Sequence, residues 1–143
     1  MGSAATTAIG EKTVREIMST DLATLRLADT LRLADDLMNL AQVRHFPVLD
    51  GDKLAGVINQ VDLLHASMAS LLRGPKNSPR EALGAVAVKD VMKPALTVDV
   101  ESSIVEAARL MVDRDRECLL IMDGDKLAGI VTRTDLLKEL AKR

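Results

Sequence analysis

Apolar and polar positions along this chain follow one order, and they follow it twice. Val14, Ile17 and Met18 fall on one face of a short helix, and Val88, Val91 and Met92 repeat the arrangement. Short extended runs come next, Ala23-Thr24-Leu25 and Leu96-Thr97-Val98. Leu31, Ala34, Leu37, Met38 and Ala41 then mark one face of a longer helix, with Thr30 or Asp29 as its N-cap. Ile104, Ala107, Ala108 and Met111 mark its counterpart, opened by Ser103-x-x-Glu106, which reads as a capping box. Two hairpins follow. His45 to Leu49 turns through Asp50-Gly51 into Leu54 to Ile58, and Cys118 to Met122 turns through Asp123-Gly124 into Leu127 to Val131. A closing helix begins near Val61 and near Thr134. Each half thus reads as short helix, strand, helix, strand, strand, helix.

The repetition extends to the letters. Asp50-Gly51-Asp52-Lys53-Leu54-Ala55-Gly56 returns unchanged at Asp123-Gly124-Asp125-Lys126-Leu127-Ala128-Gly129, and each copy is followed at the same distance by Asp-Leu-Leu. One unit is used twice, so function is sought where the copies meet. The expected division is an N-terminal tail over residues 1–11, a first repeat over 12–72, a linker over 73–86 and a second repeat over 87–143. Arg73-Gly74-Pro75-Lys76-Asn77-Ser78-Pro79 is rich in breakers, and Ser78-Pro79-Arg80-Glu81 suits one short helical turn with Ser78 as cap.

Composition narrows the chemistry. The formal net charge is −2, which argues against a nucleic-acid surface built of clustered Lys and Arg. Phe46 is the one aromatic residue, so the core is aliphatic and no ring is available to stack on a base. Cys118 is the one cysteine, which rules out an intrachain disulfide and fits a reducing, cytoplasmic setting. No apolar run has the length of a membrane span and no secretory leader is recognised, so no membrane role is expected. Met1-Gly2-Ser3-Ala4-Ala5-Thr6 fits the loose myristoylation pattern but is read as a flexible tail.

With these elements placed, the chain resembles a tandem pair of cystathionine-β-synthase (CBS) domains, the arrangement called a Bateman module. The likeness covers Lys12 to Arg143. It rests on the Val-x-x-Ile/Val-Met openings, the central helices, the Phe46-Pro47-Val48 strand and the Gly-aliphatic-aliphatic-x-x-x-Asp endings. The resemblance implies an α/β fold of two β-α-β-β-α repeats packed through their sheets about a pseudo-twofold axis. It also implies clefts between the repeats that bind adenine nucleotides or other adenosyl compounds, and a homodimer that regulates an attached or separate protein.

The same resemblance assigns the site residues. Asp135 takes the ribose hydroxyls and Thr132 helps hold phosphate or ribose, with Arg133 beside them. A carboxylate can accept from two neighbouring hydroxyls, and a helix start suits an anionic group. Thr-x-x-Asp is also a capping box, which any helix would use. Arg44 and His45 are assigned to the phosphates, and Arg can grip a phosphate through two donors. Leu96, Thr97 and Ile130 would flank the adenine. At the other cleft, Asp62 matches the ribose position, but Asn59 replaces the hydroxyl residue, and Glu117 and Cys118 replace the basic pair. Thr24 and Arg116 complete that second set. One competent site and one degraded or empty site are expected. No cofactor is required; the regulatory ligand is expected to be AMP, ADP or ATP rather than S-adenosylmethionine or NAD.

Other patterns point away from catalysis. Asp50-Gly51-Asp52 and its copy hint at calcium but have neither the further oxygen ligands nor the closing Glu of an EF-hand, so they are hairpin turns. His45, His65 and Cys118 lie in no recognisable zinc spacing. His65 reads as a surface residue and Cys118 as a small core residue. No nucleophile elbow or P-loop is present, so an enzyme is not expected. Leu64, Met68, Leu71 and Leu72 exceed what a solvated helix needs; core packing is expected for most of them, otherwise contact across the module or with a second chain. The rival to a nucleotide sensor is a ligand-free dimerisation scaffold in which Thr132 and Asp135 only cap a helix.

Overall fold

The structure is a computed structural model and describes residues 12–72 and 79–142. The tail over 1–11, the myristoylation pattern and the Ser78 cap lie outside the described residues, as does the linker from Arg73 to Ser78. A 3-10 turn at Val14–Glu16 leads into β1 (Leu25–Arg26), α1 (Leu31–Ala41), β2 (His45–Asp50), β3 (Lys53–Asn59) and α2 (Gln60–Leu72). After α3 (Pro79–Leu83), the order returns: a 3-10 turn at Val88–Asp90, β4 (Thr97–Asp99), α4 (Ile104–Arg114), β5 (Cys118–Asp123), β6 (Lys126–Thr132) and α5 (Arg133–Ala141). Pro79 occupies the first position of α3, where its missing N–H costs nothing. The fold is α/β, with two three-stranded sheets of order β1-β2-β3 and β4-β5-β6.

Local chemistry sets the element ends. Of the two candidate caps for α1, Thr30 takes the role: its side chain accepts from the Leu33 N–H at 3.2 Å. Asp29 instead accepts from the Arg26 N–H at 2.7 Å, closing the preceding turn. Ser103 accepts from the Glu106 N–H at 3.0 Å, but among the described residues the return bond of a capping box is missing there. A return bond of that kind forms at the chain's first turn, where the Thr13 N–H donates to the Glu16 carboxylate at 2.7 Å.

Each hairpin pairs Asp with Lys across its end, Asp50 with Lys53 and Asp123 with Lys126, so the loop residues are Gly51-Asp52 and Gly124-Asp125. Gly51 and Gly124 have φ of 62° and 60°, a region open to glycine and strained for other residues. That places glycine first in the loop, with the turn one residue later along the chain than one centred on Asp-Gly.

The chain separates into two compact units that cut across the sequence repeats. One comprises Ala23–Ala95; the other joins the residues up to Leu22 to those from Leu96 onward. Val88 of the second opening is buried with Leu25, Leu31, Phe46, Val48 and Ile58 of the first repeat. Val14 of the first opening is buried with Ala107, Met111, Leu119, Ile121 and Val131 of the second. Both valines are fully buried, a burial worth roughly 1.5–3 kcal/mol each. Backbone pairing fixes the docking. Ser19 and Ile130 exchange N–H to carbonyl bonds at 2.9 and 3.0 Å, and Lys93 and Val57 do the same at 2.9 Å each way. Each opening segment therefore adds a one-residue antiparallel rung to the last strand of the other repeat.

The surface corrects one expectation. Leu64, Met68 and Leu72 on α2 are 55%, 57% and 87% exposed, so they do not pack into the core of this chain. The side chain of Leu71 lies outside the described residues. His65 is exposed and Cys118 is buried, as their positions in the pattern suggest.

Candidate functional site

The two endings that carry Asp135 and Asp62 are built by the same junction, the end of a strand running directly into a helix. At the second, the Thr132 N–H and hydroxyl both donate to Asp135 Oδ2, at 2.8 and 3.1 Å. The Asp135 N–H donates back to Thr132 Oγ1 at 3.3 Å. The capping box anticipated as an alternative for these residues is formed. It consumes one carboxylate oxygen. Asp135 is half-exposed, and its Oδ1 makes no hydrogen bond or ion pair among the described residues.

The first ending has the same cap with different letters. The Asn59 N–H donates to Asp62 Oδ2 at 2.8 Å, and the Asp62 N–H donates to Asn59 Oδ1 at 2.9 Å. Here the other oxygen is taken: Lys93 Nζ lies 3.3 Å from Asp62 Oδ1. Asp62 is only 5% exposed. Nothing in the sequence singles out Lys93, because a charged residue after a Met in a loop reads as solvated.

The remaining predicted residues divide between the units. Leu96, Thr97, Ile130, Thr132, Arg133 and Asp135 share one, with Arg116, while Thr24, Arg44, His45, Asn59 and Asp62 belong to the other. In the first group, Thr97 pairs with Leu120 and Leu120 with Ile130, so Thr97 and Ile130 lie on one row across the sheet. The Leu96 carbonyl accepts from Leu120 N–H at 2.9 Å on the adjoining rung. Arg133 Nη2 lies 3.4 Å from Asp115 Oδ1, a pair exposed on both sides. Such a pair adds little stability. Arg116 is half-buried and Glu117 exposed; the Glu117 carbonyl accepts from Arg133 N–H at 3.1 Å.

In the second group Arg44 is exposed and His45 half-buried at the start of β2, with Thr24 exposed just before β1. The Arg44 carbonyl accepts from Gln60 N–H at 3.1 Å, tying the strand start to the first residue of α2. Arg44 also lines a polar hollow of about 400 Å³ with Asn39, Gln42 and Gln60. A second hollow, about 450 Å³ and apolar, lies between α4 and α5, lined by Met111, Val112, Leu136, Leu137 and Leu140.

Two other ionisable groups stand out. Burial pushes the Cys118 thiol up to about 11, with Arg116 partly offsetting this and Glu117 adding to it. Glu139 is held below the usual carboxylate range, chiefly by its hydrogen bond from Lys12. Among the described residues no group of three His, Cys, Asp or Glu side chains is placed to hold a metal ion. No helix there is long and apolar enough to cross a membrane.

Several known proteins match this chain along most of its length. A CBS domain-containing protein of Dictyostelium discoideum is 35% identical over 132 residues, covering 90% of this chain and 91% of that protein. The crystal structure of the CBS domain of a CBS domain-containing membrane protein from Sphaerobacter thermophilus superposes with a TM-score of 0.81 at 26% identity, covering 96% and 93% of the two chains. That of CBSX2 in complex with AMP superposes with a TM-score of 0.73 at 27% identity, covering 91% and 96%. Three further relatives are longer proteins, of which this chain spans 13%, 32% and 44%. The CBS domain family matches residues 14–69 and 88–142, and the chain belongs to that family as a tandem pair of CBS domains.

Proposed function

We propose that this chain is a regulatory module that binds an adenosyl nucleotide, AMP, ADP or ATP, and passes the binding on as a change of conformation or of partner affinity. The observation that carries the reading is Asp135. Its cap occupies one oxygen and leaves the other, on a half-exposed residue, to accept from ribose hydroxyls. The similarity to CBSX2, solved in complex with AMP, supports the same ligand class. Thr132 and Arg133 stand beside that carboxylate, with Leu96, Thr97 and Ile130 as the aliphatic surface for the adenine. Arg44 and His45 are proposed as the phosphate cations. Asn59, Asp62, Thr24 and Arg116 form the second, degraded set.

Titration calorimetry of the full chain with AMP, ADP and ATP tests this, alongside Asp135→Ala and Arg44→Ala. One ligand per chain is expected, lost in Asp135→Ala and weakened in Arg44→Ala. Absence of binding by the wild-type chain overturns the reading. A ligand raises the melting temperature only if it favours the folded form, so a thermal-shift screen that adds S-adenosylmethionine and NAD ranks the candidates.

A dimerisation scaffold is the second reading, and the exposed apolar side chains favour it. Leu64, Met68 and Leu72 on α2, with Leu137 and Leu140 on α5, present more apolar surface than solvated helices need. We take the exposed apolar face of each of these helices as a contact of a homodimer, which can coexist with ligand binding. Sedimentation velocity of Leu72→Glu and Leu137→Glu checks it, with loss of the dimer expected.

A further inference from the structure

The two endings share the same backbone bonds and the same kind of cap, yet the residue docked beside the last strand differs. Position 93 follows Met92 in the second opening, and position 19 follows Met18 in the first. Both are docked by the same reciprocal pair of backbone bonds, Lys93 to Val57 and Ser19 to Ile130. Val57 and Ile130 each precede the helix-capping aspartate by the same number of residues, so positions 19 and 93 stand in the same relation to Asp135 and Asp62. At position 93 a lysine reaches the carboxylate, with Nζ 3.3 Å from Asp62 Oδ1. At position 19 a serine side chain is too short to do so.

We propose that the residue after the opening methionine decides whether each capping aspartate can take a ligand. Lys93 is an internal counter-ion that occupies Asp62 and withholds the first ending from a vicinal diol, and Ser19 leaves Asp135 available to one. A ribose at Asp62 would have to displace an ammonium from a carboxylate that is only 5% exposed. Lys93 is half-exposed at its own end but the carboxylate is buried. A neutral diol in its place would leave a buried charge without its counter-ion, so the exchange is unfavourable. The openings thus set the asymmetry between the sites, and the differences at Asn59 and Glu117 are secondary to it. This inference rests on the reading that Asp135 accepts the ribose of an adenosyl nucleotide.

The test exchanges the two residues separately, Lys93→Ser and Ser19→Lys, and measures AMP stoichiometry and affinity by calorimetry on the full chain. Far-ultraviolet circular dichroism and unliganded melting serve as the folding control. The wild-type chain is expected to bind one AMP, Lys93→Ser two, and Ser19→Lys is expected to lose affinity by at least about tenfold. Two strong wild-type sites, an unchanged stoichiometry in Lys93→Ser, or wild-type affinity in folded Ser19→Lys overturns the proposal. If the wild-type chain binds no AMP while Lys93→Ser binds one, the role of Lys93 stands and the Asp135 reading falls. If neither binds, both fall.

Discussion

The Sδ of Met18 stands where Gly129 would carry a side chain: a Cβ built on Gly129 lies 2.7 Å from that sulfur and 2.8 Å from the Ser19 carbonyl oxygen. Gly56 has the same relation to the other opening, at 2.8 Å from the Met92 sulfur and 2.7 Å from the Lys93 carbonyl. The last glycine of the repeated heptapeptide is therefore the groove into which the other repeat's methionine and backbone settle. Gly129→Ala and Gly56→Ala must each push a backbone carbonyl and not only a flexible sulfur. A loss of about 1–3 kcal/mol is expected for each, the usual cost of overfilling a packed site. Urea denaturation with an unchanged slope and a lowered midpoint checks it.

The sheets, the hairpins and the long helices were legible in the sequence, because each rests on a local pattern. Leu31, Ala34 and Met38 repeat at helical spacing and are buried, and so do Ile104, Ala107 and Met111. The exchange of openings was not legible. Val14-x-x-Ile17-Met18 and Val88-x-x-Val91-Met92 are so alike that neither core can be told as its destination from the letters alone. The short amphipathic faces expected there became 3-10 turns, because these segments bury one valine each and then run on as backbone rungs. Of the candidate site, the Thr132–Asp135 cap is readable as such, and the ligand role proposed for it rests on the family likeness alone. Lys93 was hidden, since its partner Asp62 is distant in sequence and meets it only once the opening has docked.

Lys12 and Lys142 both pair with Glu139, which is 4% exposed although it lies on the terminal helix. The carboxyl is held below its ordinary value of 4.5, mainly by the hydrogen bond from Lys12. A depressed carboxyl contributes stability that is present above the unfolded-state value and disappears as pH falls through the folded one. Glu139→Gln is therefore expected to melt below the wild type at neutral pH, with the gap closing once pH drops well below 4.5. Melting curves of both proteins from neutral pH down to about pH 3 decide it. A gap that is constant across that range would mean the pairing adds nothing to stability.

Cys118 sits in a buried strand, and desolvation holds its thiol at about 11. Thiolate, not thiol, is the nucleophile, so the folded chain should react with a maleimide or disulfide reagent far more slowly than the denatured chain near neutral pH. The linkage sign is opposite to that of Glu139. Here the folded value lies above the unfolded one, so stability is full below the ordinary value of 9.0 and declines as pH rises from there toward about 11. Cys118→Ala removes the titration, and its alkaline stability profile should be flatter than the wild type's over that interval. Rapid labelling of native protein would show that the strand opens readily, contrary to its packing.

Asp62 and Asp135 separate the structural role of a capping carboxylate from the binding role proposed for it. Both accept from the backbone N–H of the residue that caps the helix, at 2.8 Å in each case. Asp135→Ala removes that bond from a half-exposed site, and a loss of about 1 kcal/mol is expected, typical of a cap. Asp62→Ala also strips Lys93 of its partner and empties a buried position, so a loss nearer 2–3 kcal/mol is expected. Asp135→Asn is the informative third variant. An amide oxygen can still accept the Thr132 N–H, so the cap survives and stability stays within about 0.5 kcal/mol of wild type. The charge and one acceptor are gone, so AMP affinity should fall as it does in Asp135→Ala. Parallel urea titrations and AMP calorimetry on the three variants read both quantities. Equal destabilisation by Asp62→Ala and Asp135→Ala would remove the structural distinction between the two endings. Retained AMP affinity in Asp135→Asn would remove the carboxylate from the ligand site.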